Sequence, residues 1–257
     1  MYCEYYGLIR RPFEMTPDPS FLYLGEAHRE GLAMLQYAVE SRKGFVLLTG
    51  EVGTGKTTLL HSLLSQLDSR TNSAFVFNPR LKPIDFFKVI FDEFEISEAC
   101  RTKGEYLMAL NRYLIAKLET DEPVLLIVDE AQNLSPEMLE EIRLLSNLET
   151  PTSKLIQIML VGQPELREKL AQPELRQLRQ RIVLRHNLRA FDEDETKTYI
   201  EDRLAKAGFT GEPIFDKGAL RSIYQVTSGT PRLINSLCDG ALLLGYSRDR
   251  KQLDRHL

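Results

Sequence analysis

The chain has 257 residues, 43% of them hydrophobic and 27% charged, with a formal net charge of −4. That length can bury a sizeable core in one or two domains, and the composition excludes a disordered or fibrous chain. No apolar run reaches the roughly 18 residues of a membrane span, and the acidic balance does not by itself advertise nucleic acid.

The start, M-Y-C-E-Y-Y, lacks the basic-then-apolar form of a signal peptide, so the cytoplasm is the expected compartment. Cys3, Cys100 and Cys238 are odd in number and far apart, which speaks against a disulfide framework or a metal site.

Residues 1–24 are rich in aromatics and prolines, ending near T-P-D-P at Thr16–Pro19. They read as an extended, non-helical arm laid over the core, with a role near a bound base. Residues 27–41 follow as an amphipathic helix, with Leu32, Leu35, Ala38 and Val39 on one side.

Phe45–Leu60 is the most informative stretch. An apolar strand, Phe45–Thr49, runs into Gly50, Glu51, Val52, Gly53, Thr54, Gly55, Lys56, Thr57 and Thr58, and then into a helix from Thr57 to Leu67. Gly50, Gly55, Lys56 and Thr57 fit G-x-x-x-x-G-K-[ST]. Glycines let the backbone wrap a polyphosphate with its N–H groups inward, and the helix start presents its positive end to the same anion. Lys56 would reach the β- and γ-phosphates, and the Thr57 hydroxyl would take a place on Mg²⁺.

A short strand is expected at Ser73–Phe77, closed by Asn78 and Pro79, then helices at Ile84–Phe94 and about Lys103–Leu118. Val124–Leu134 reads V-L-L-I-V-D-E-A-Q-N-L, a strand buried on both faces with two carboxylates at its C-terminal end. Asp129 would hold Mg²⁺ directly or through water, and Glu130 would act as general base on the attacking water. Ser135 and Pro136 open a helix to about Asn147. Lys154–Val161 is the next expected strand, and Gln163 at its end can hydrogen-bond a γ-phosphate or the water.

Arg176, Arg179, Arg181, Arg185 and Arg189 follow with no carboxylate between the first and the last, around a short strand at Ile182–His186. Such a run suggests an acidic partner, either a neighbouring subunit's γ-phosphate or a nucleic-acid backbone. The remainder reads as a helical unit. Asp192–Glu195 opens one helix and Gly208 closes it, a second lies near Asp216–Val226, and Gly229–Arg232 opens a third that runs to about Tyr246. Pro231 fits that helix's first turn and places Arg232 at its start.

Taken in order, these pieces resemble an AAA+ ATPase from about Tyr5 to Tyr246. Walker A falls at Gly50–Thr57, Walker B at Val124–Glu130, sensor 1 at Gln163 and the sensor-2 G-x-P-R at Gly229–Arg232. The leader Y-Y-G-L-I-R-R-P-F-E-M-T-P-D-P-S-F-L-Y-L with His28, together with G-E-V-G-T-G-K-T-T, V-D-E-A-Q-N-L, L-V-G-Q-P-E-L and S-G-T-P-R-L-I-N, is similar to the general secretion pathway protein A type. That type is related to the TniB and MuB ATPases that assist transposases.

The resemblance implies an α/β P-loop NTPase fold with a five-stranded parallel sheet between helices. Residues 1–190 would form the nucleotide-binding core with its arm, and residues 191–257 a helical lid. It implies ATP and Mg²⁺ as ligands, Glu130 as catalytic base, Gln163 in place of the more widespread Asn or Thr, and Arg232 reaching the γ-phosphate. An arginine finger from Arg181, or second from Arg179, would act on a neighbour's nucleotide, so a homo-oligomer is expected. The expected task is to energise assembly of a secretion or cell-envelope complex. The alternative is duplex-DNA binding by a transposase regulator, and a third reading is a nucleotide-gated binding module that does not hydrolyse. Members of the secretion branch often continue into a transmembrane segment and a peptidoglycan-binding part, whereas this chain ends after the lid.

Overall fold

The computed structural model describes residues 1–15, 18–77, 82–151 and 153–255. In chain order its helices are α1 (Tyr2–Tyr6), α2 (Glu26–Glu40), α3 (Lys56–Gln66), α4 (Pro83–Glu93), α5 (Lys103–Glu119), α6 (Pro136–Leu145), α7 (Glu165–Ala171), α8 (Arg176–Arg181), α9 (Glu193–Lys206), α10 (Lys217–Thr227) and α11 (Pro231–Ser247). The strands are β1 (Phe45–Gly50), β2 (Asn72–Val76), β3 (Val124–Val128), β4 (Gln157–Gly162) and β5 (Ile182–Leu188). They fold into two compact units, one from Glu30–Gly50 and Leu59–Leu188, the other from Met1–Arg29, Glu51–Thr58 and Arg189–Leu257.

The first unit holds a five-stranded sheet in the order β2-β3-β4-β1-β5, with every pairing parallel. Parallel strands need crossovers, and these leave both sheet faces covered. β1, β3 and β4 are accordingly buried along their whole length. One face contributes Phe45, Leu47, Leu126, Val128, Ile158 and Leu160 to a cluster with residues of α4, α5 and α6. The alternate residues Val46, Leu48, Leu125, Ile127, Met159 and Val161 are buried as well. α2 and α3 lie side by side, since a Cβ on Gly31 would touch Leu59 and the Gln36 amide donates to Gln66 Oε1 at 2.8 Å.

In a parallel sheet all C-terminal strand ends share one edge. Gly50, Asp129 and Gln163 therefore leave the sheet on the same side, with β4 between the strands that carry the loop and the carboxylates.

β4 begins at Gln157 rather than at Lys154. Lys154 instead pairs with Glu149 in an antiparallel bridge, and the Leu155 N–H donates to Leu148 O, so Lys154 and Leu155 lie against the chain that leaves α6. Leu155 and Ile156 are apolar because they are buried in the core, not because they are strand. β5 runs two residues beyond the expected His186. Asn78 and Pro79, expected to close β2, lie outside the described residues, as do Thr16 and Pro17 of the leader.

The second unit gathers the leader and the last three helices around Tyr2, Tyr6, Phe13, Phe21, Phe191, Ile200, Ile234, Cys238 and Leu242. The leader is not wholly extended, because Tyr2–Tyr6 is helical. Tyr2 and Tyr6, one turn apart, bury one face, and their hydroxyls donate to Asp239 Oδ1 (2.5 Å) and Arg250 O (2.9 Å). Gly7, at φ 72°, ends the helix in the left-handed conformation, with Leu8 N–H donating back to Cys3 O. Ile9 N–H and the Arg10 guanidinium then donate to Ala207 O and Lys206 O, the carbonyls that close α9.

Candidate nucleotide-binding and catalytic residues

The loop after β1 turns on Gly53 (φ 81°) and Gly55 (φ 98°), both in the region that disfavours any side chain. Three donors converge on one carbonyl inside it. The Thr54 hydroxyl (2.8 Å), the Thr54 N–H (3.3 Å) and the Lys56 ammonium (3.0 Å) all reach Glu51 O. Lys56 is only 7% exposed, so its charge is held in the loop rather than in solvent. Thr57 is half-buried, while Glu51, Val52 and Thr58 are exposed.

Two residues of the same unit flank the loop. His28 Nε2 lies 2.9 Å from Thr54 O, and because a carbonyl only accepts, this nitrogen carries the proton. The Arg232 N–H donates to Gly53 O at 3.2 Å, and a Cβ on Gly53 would come within 2.7 Å of Arg232 Cβ. Arg232 thus stands where the sequence placed it, in the first turn of α11. His28 entered the reading only as part of a leader pattern, and its bond to the loop spans 26 residues with no local signal.

In the sheet unit, Asp129 is 4% exposed and follows β3 directly. Its N–H donates to Val76 O (3.0 Å), and its Oδ1 accepts the Glu130 N–H (2.8 Å). Glu130 adopts φ 52°, ψ 35°, a left-handed conformation rarely taken by glutamate, where functional sites store strain. Its Oε2 accepts two amides, from Gln132 Nε2 at 2.5 Å and Gln163 Nε2 at 3.2 Å. Gln132 Oε1 in turn accepts the Gln163 N–H at 3.1 Å. The Lys169 ammonium donates to Gln132 O and, at 2.8 Å, to Leu134 O, clamping the turn Ala131–Asn133 from α7. Glu130 and Gln163 are therefore brought together, through a residue, Gln132, that the sequence did not single out. Gly162 makes room for it, since a Cβ there would fall 2.5 Å from Gln132 Oε1.

Taken singly, the side chains of Thr57 and Asp129 are of the kind that suits Mg²⁺ with a phosphate ligand. A threonine hydroxyl and an aspartate are hard oxygen donors, and Mg²⁺ usually takes one or two carboxylates and leaves its other positions to phosphate and water. Among the described residues no cluster of three or more His, Cys, Asp or Glu could hold a metal ion by itself.

The arginines differ in their surroundings. Arg176 and Arg179 are exposed on α8, and Arg185 donates to Arg179 O at 2.9 Å. Arg181 is half-buried and donates to Ser146 Oγ. Arg189 differs from the expected uncompensated run. It pairs with Glu195 (2.6 Å), six residues further on, and with Glu26 (2.9 Å), 163 residues away in sequence.

A parallel sheet with one strand between the phosphate loop and the paired carboxylates defines a P-loop NTPase fold. Residues 39–170 match the AAA domain family, and the chain belongs to it. Over 249 residues it is 44% identical to general secretion pathway protein A of Aeromonas hydrophila, an alignment covering 96% of this chain and 45% of that protein. The chain thus spans less than half the length of this curated relative. Among solved structures it resembles Cdc6p of Pyrobaculum aerophilum (TM-score 0.69, 19% identity, 92% of this chain and 68% of that one). It also resembles the Aeropyrum pernix ORC2 protein in its ADPNP–ADP complexes (TM-score 0.65, 19% identity, 96% and 69%). At these identities the likeness concerns the fold. No helix among the described residues is long and apolar enough to cross a membrane.

Proposed function

We propose that the chain is a Mg²⁺-dependent ATP hydrolase whose output is a conformational change that energises assembly of a secretion or cell-envelope complex. The observation that carries this reading is Glu130, a carboxylate at a strand end held by two side-chain amides. A module that only binds nucleotide has no need of a positioned base. The 44% identity to a secretion pathway protein supports the task.

In this reading the loop amides and Lys56 bind the triphosphate, and Thr57 and Asp129 hold the Mg²⁺. The ion, when bound, withdraws charge from the phosphate oxygens. Glu130 takes a proton from water as the water oxygen bonds the γ-phosphorus and the bond to the ADP oxygen breaks. Gln163 orients the participants, and Arg232 stabilises charge from residues 191–257, which act as a lid. Arg181, or second Arg179, acts on a neighbour's nucleotide, so turnover per protomer should fall on dilution to a demonstrated monomer. Flat, high turnover there would remove the finger.

A second reading rests on the exposed Arg176, Arg179 and Arg185, which suit phosphates of duplex DNA and a transposase-regulating role. One experiment separates the two: steady-state ATP hydrolysis with and without duplex DNA, at low and moderate salt. Several-fold stimulation that fades with salt favours DNA. An unchanged, measurable rate favours a protein partner, and no hydrolysis under any condition removes the enzyme reading.

A further inference from the structure

Gln132 spends both ends of its amide in opposite senses. Its oxygen accepts the Gln163 N–H and its nitrogen donates to Glu130 Oε2. That fixes the orientation of the group. A flipped amide would set N–H against N–H at Gln163 and oxygen against carboxylate at Glu130. The backbone under it is fixed too, because Lys169 holds Gln132 O and Asp129 Oδ1 holds the Glu130 N–H. Gly162 leaves the space in which the Gln132 oxygen sits.

The two oxygens of Glu130 are thereby made unequal. Oε2 takes both amide donors, whereas Oε1 accepts no hydrogen bond from the described residues. We infer that Gln132 is a positioning residue for hydrolysis. It anchors Glu130 Oε2 against the end of β4, which leaves Oε1 as the oxygen that receives the proton of the attacking water, and it ties that geometry to Gln163. A residue in this role acts on the chemical step and leaves nucleotide affinity alone.

The inference rests on the hydrolase reading, and its test keeps the two apart. Wild type, Gln132→Met and Gln132→Glu are compared for kcat, for KM and for affinity towards a fluorescent ATP analogue. The methionine keeps the length and removes both bonds. The glutamate keeps an acceptor for Gln163 N–H and removes the donor to Glu130, and it serves if the methionine variant fails to fold. Both should lose about tenfold or more in kcat, as misplaced catalytic groups do, with analogue affinity within about twofold of wild type. Combining Gln132→Met with Gln163→Leu should cost less than the product of the single losses, because both act through one carboxylate. If kcat is unchanged, or falls only in step with affinity, the positioning role is overturned while the hydrolase reading stands. A wild-type chain that binds the analogue and does not turn over ATP overturns both.

Discussion

The N–H of Arg232 donates to the carbonyl of Gly53 at 3.2 Å, so the first turn of α11 is built onto the phosphate loop itself. Gly53 is at φ 81°, and a Cβ there would stand 2.7 Å from Arg232 Cβ and 3.2 Å from Thr230 Cγ2. Gly53→Ala should therefore both strain the loop and push α11 off it. We expect ATP-analogue affinity to drop by about tenfold, equivalent to roughly 1.4 kcal/mol. Fluorescence titration measures it, and affinity equal to wild type would mean that the loop tolerates the side chain.

Glu130→Gln removes the base and keeps the shape. The variant should bind the ATP analogue as wild type does and lose at least about a hundredfold in kcat, the usual scale of general-base catalysis. Equal loss of binding and turnover would assign Glu130 a structural role, a reading its left-handed backbone makes worth excluding.

Gly229, at φ 72°, lies against the Phe191 backbone, with Phe191 N–H donating to Gly229 O at 3.0 Å. A Cβ on residue 229 would overlap Phe191 O at 1.7 Å, and that oxygen belongs to the main chain. Gly229→Ala should cost about 3 kcal/mol or more, in the severe class of backbone substitutions. For a chain of this size that lowers Tm by roughly 6 °C or more, and calorimetry reads it directly.

Glu195 links the capping of α9 to Glu26, the first residue of α2. Burial, the largest single influence, pushes its carboxyl up, but the N–H groups of Glu26 and Asp192 and the Arg189 guanidinium together overcome it and hold the group below its ordinary range. A depressed carboxylate stabilises the fold above its unfolded pKa, and that stabilisation is lost as pH falls through the folded pKa. Glu195→Gln should therefore lower Tm near neutral pH, and the two melting profiles should converge in acid. Parallel profiles at every pH would show that the charge is not what matters.

What was legible in the sequence was local. Phe45–Gly50 and Val124–Val128 announce themselves because buried parallel strands are unbroken apolar runs, and Ser135 announces α6 because its hydroxyl meets the Met138 N–H. α1 was illegible because a five-residue helix has no stability of its own. It depends on Tyr2 and Tyr6 reaching Asp239 and Arg250 far along the chain. Gln132 was passed over for a similar reason, since its partner Gln163 lies 31 residues away. Arg189 looked unpaired in a linear reading and is paired by Glu26, which lies 163 residues away.

The grouping of Glu51–Thr58 with the last helices has a practical consequence. A truncation after residue 190 would preserve every letter of the phosphate-binding motif and every strand of the sheet. It would also delete Arg232 and Thr230, which back Gly53, and Phe191, whose ring stands 5.2 Å from that of His28. On the proposed reading, a fragment meant to hold nucleotide has to be longer than the motif-bearing sheet, and a shortened protein that purifies well would be a poor witness to what the loop can bind.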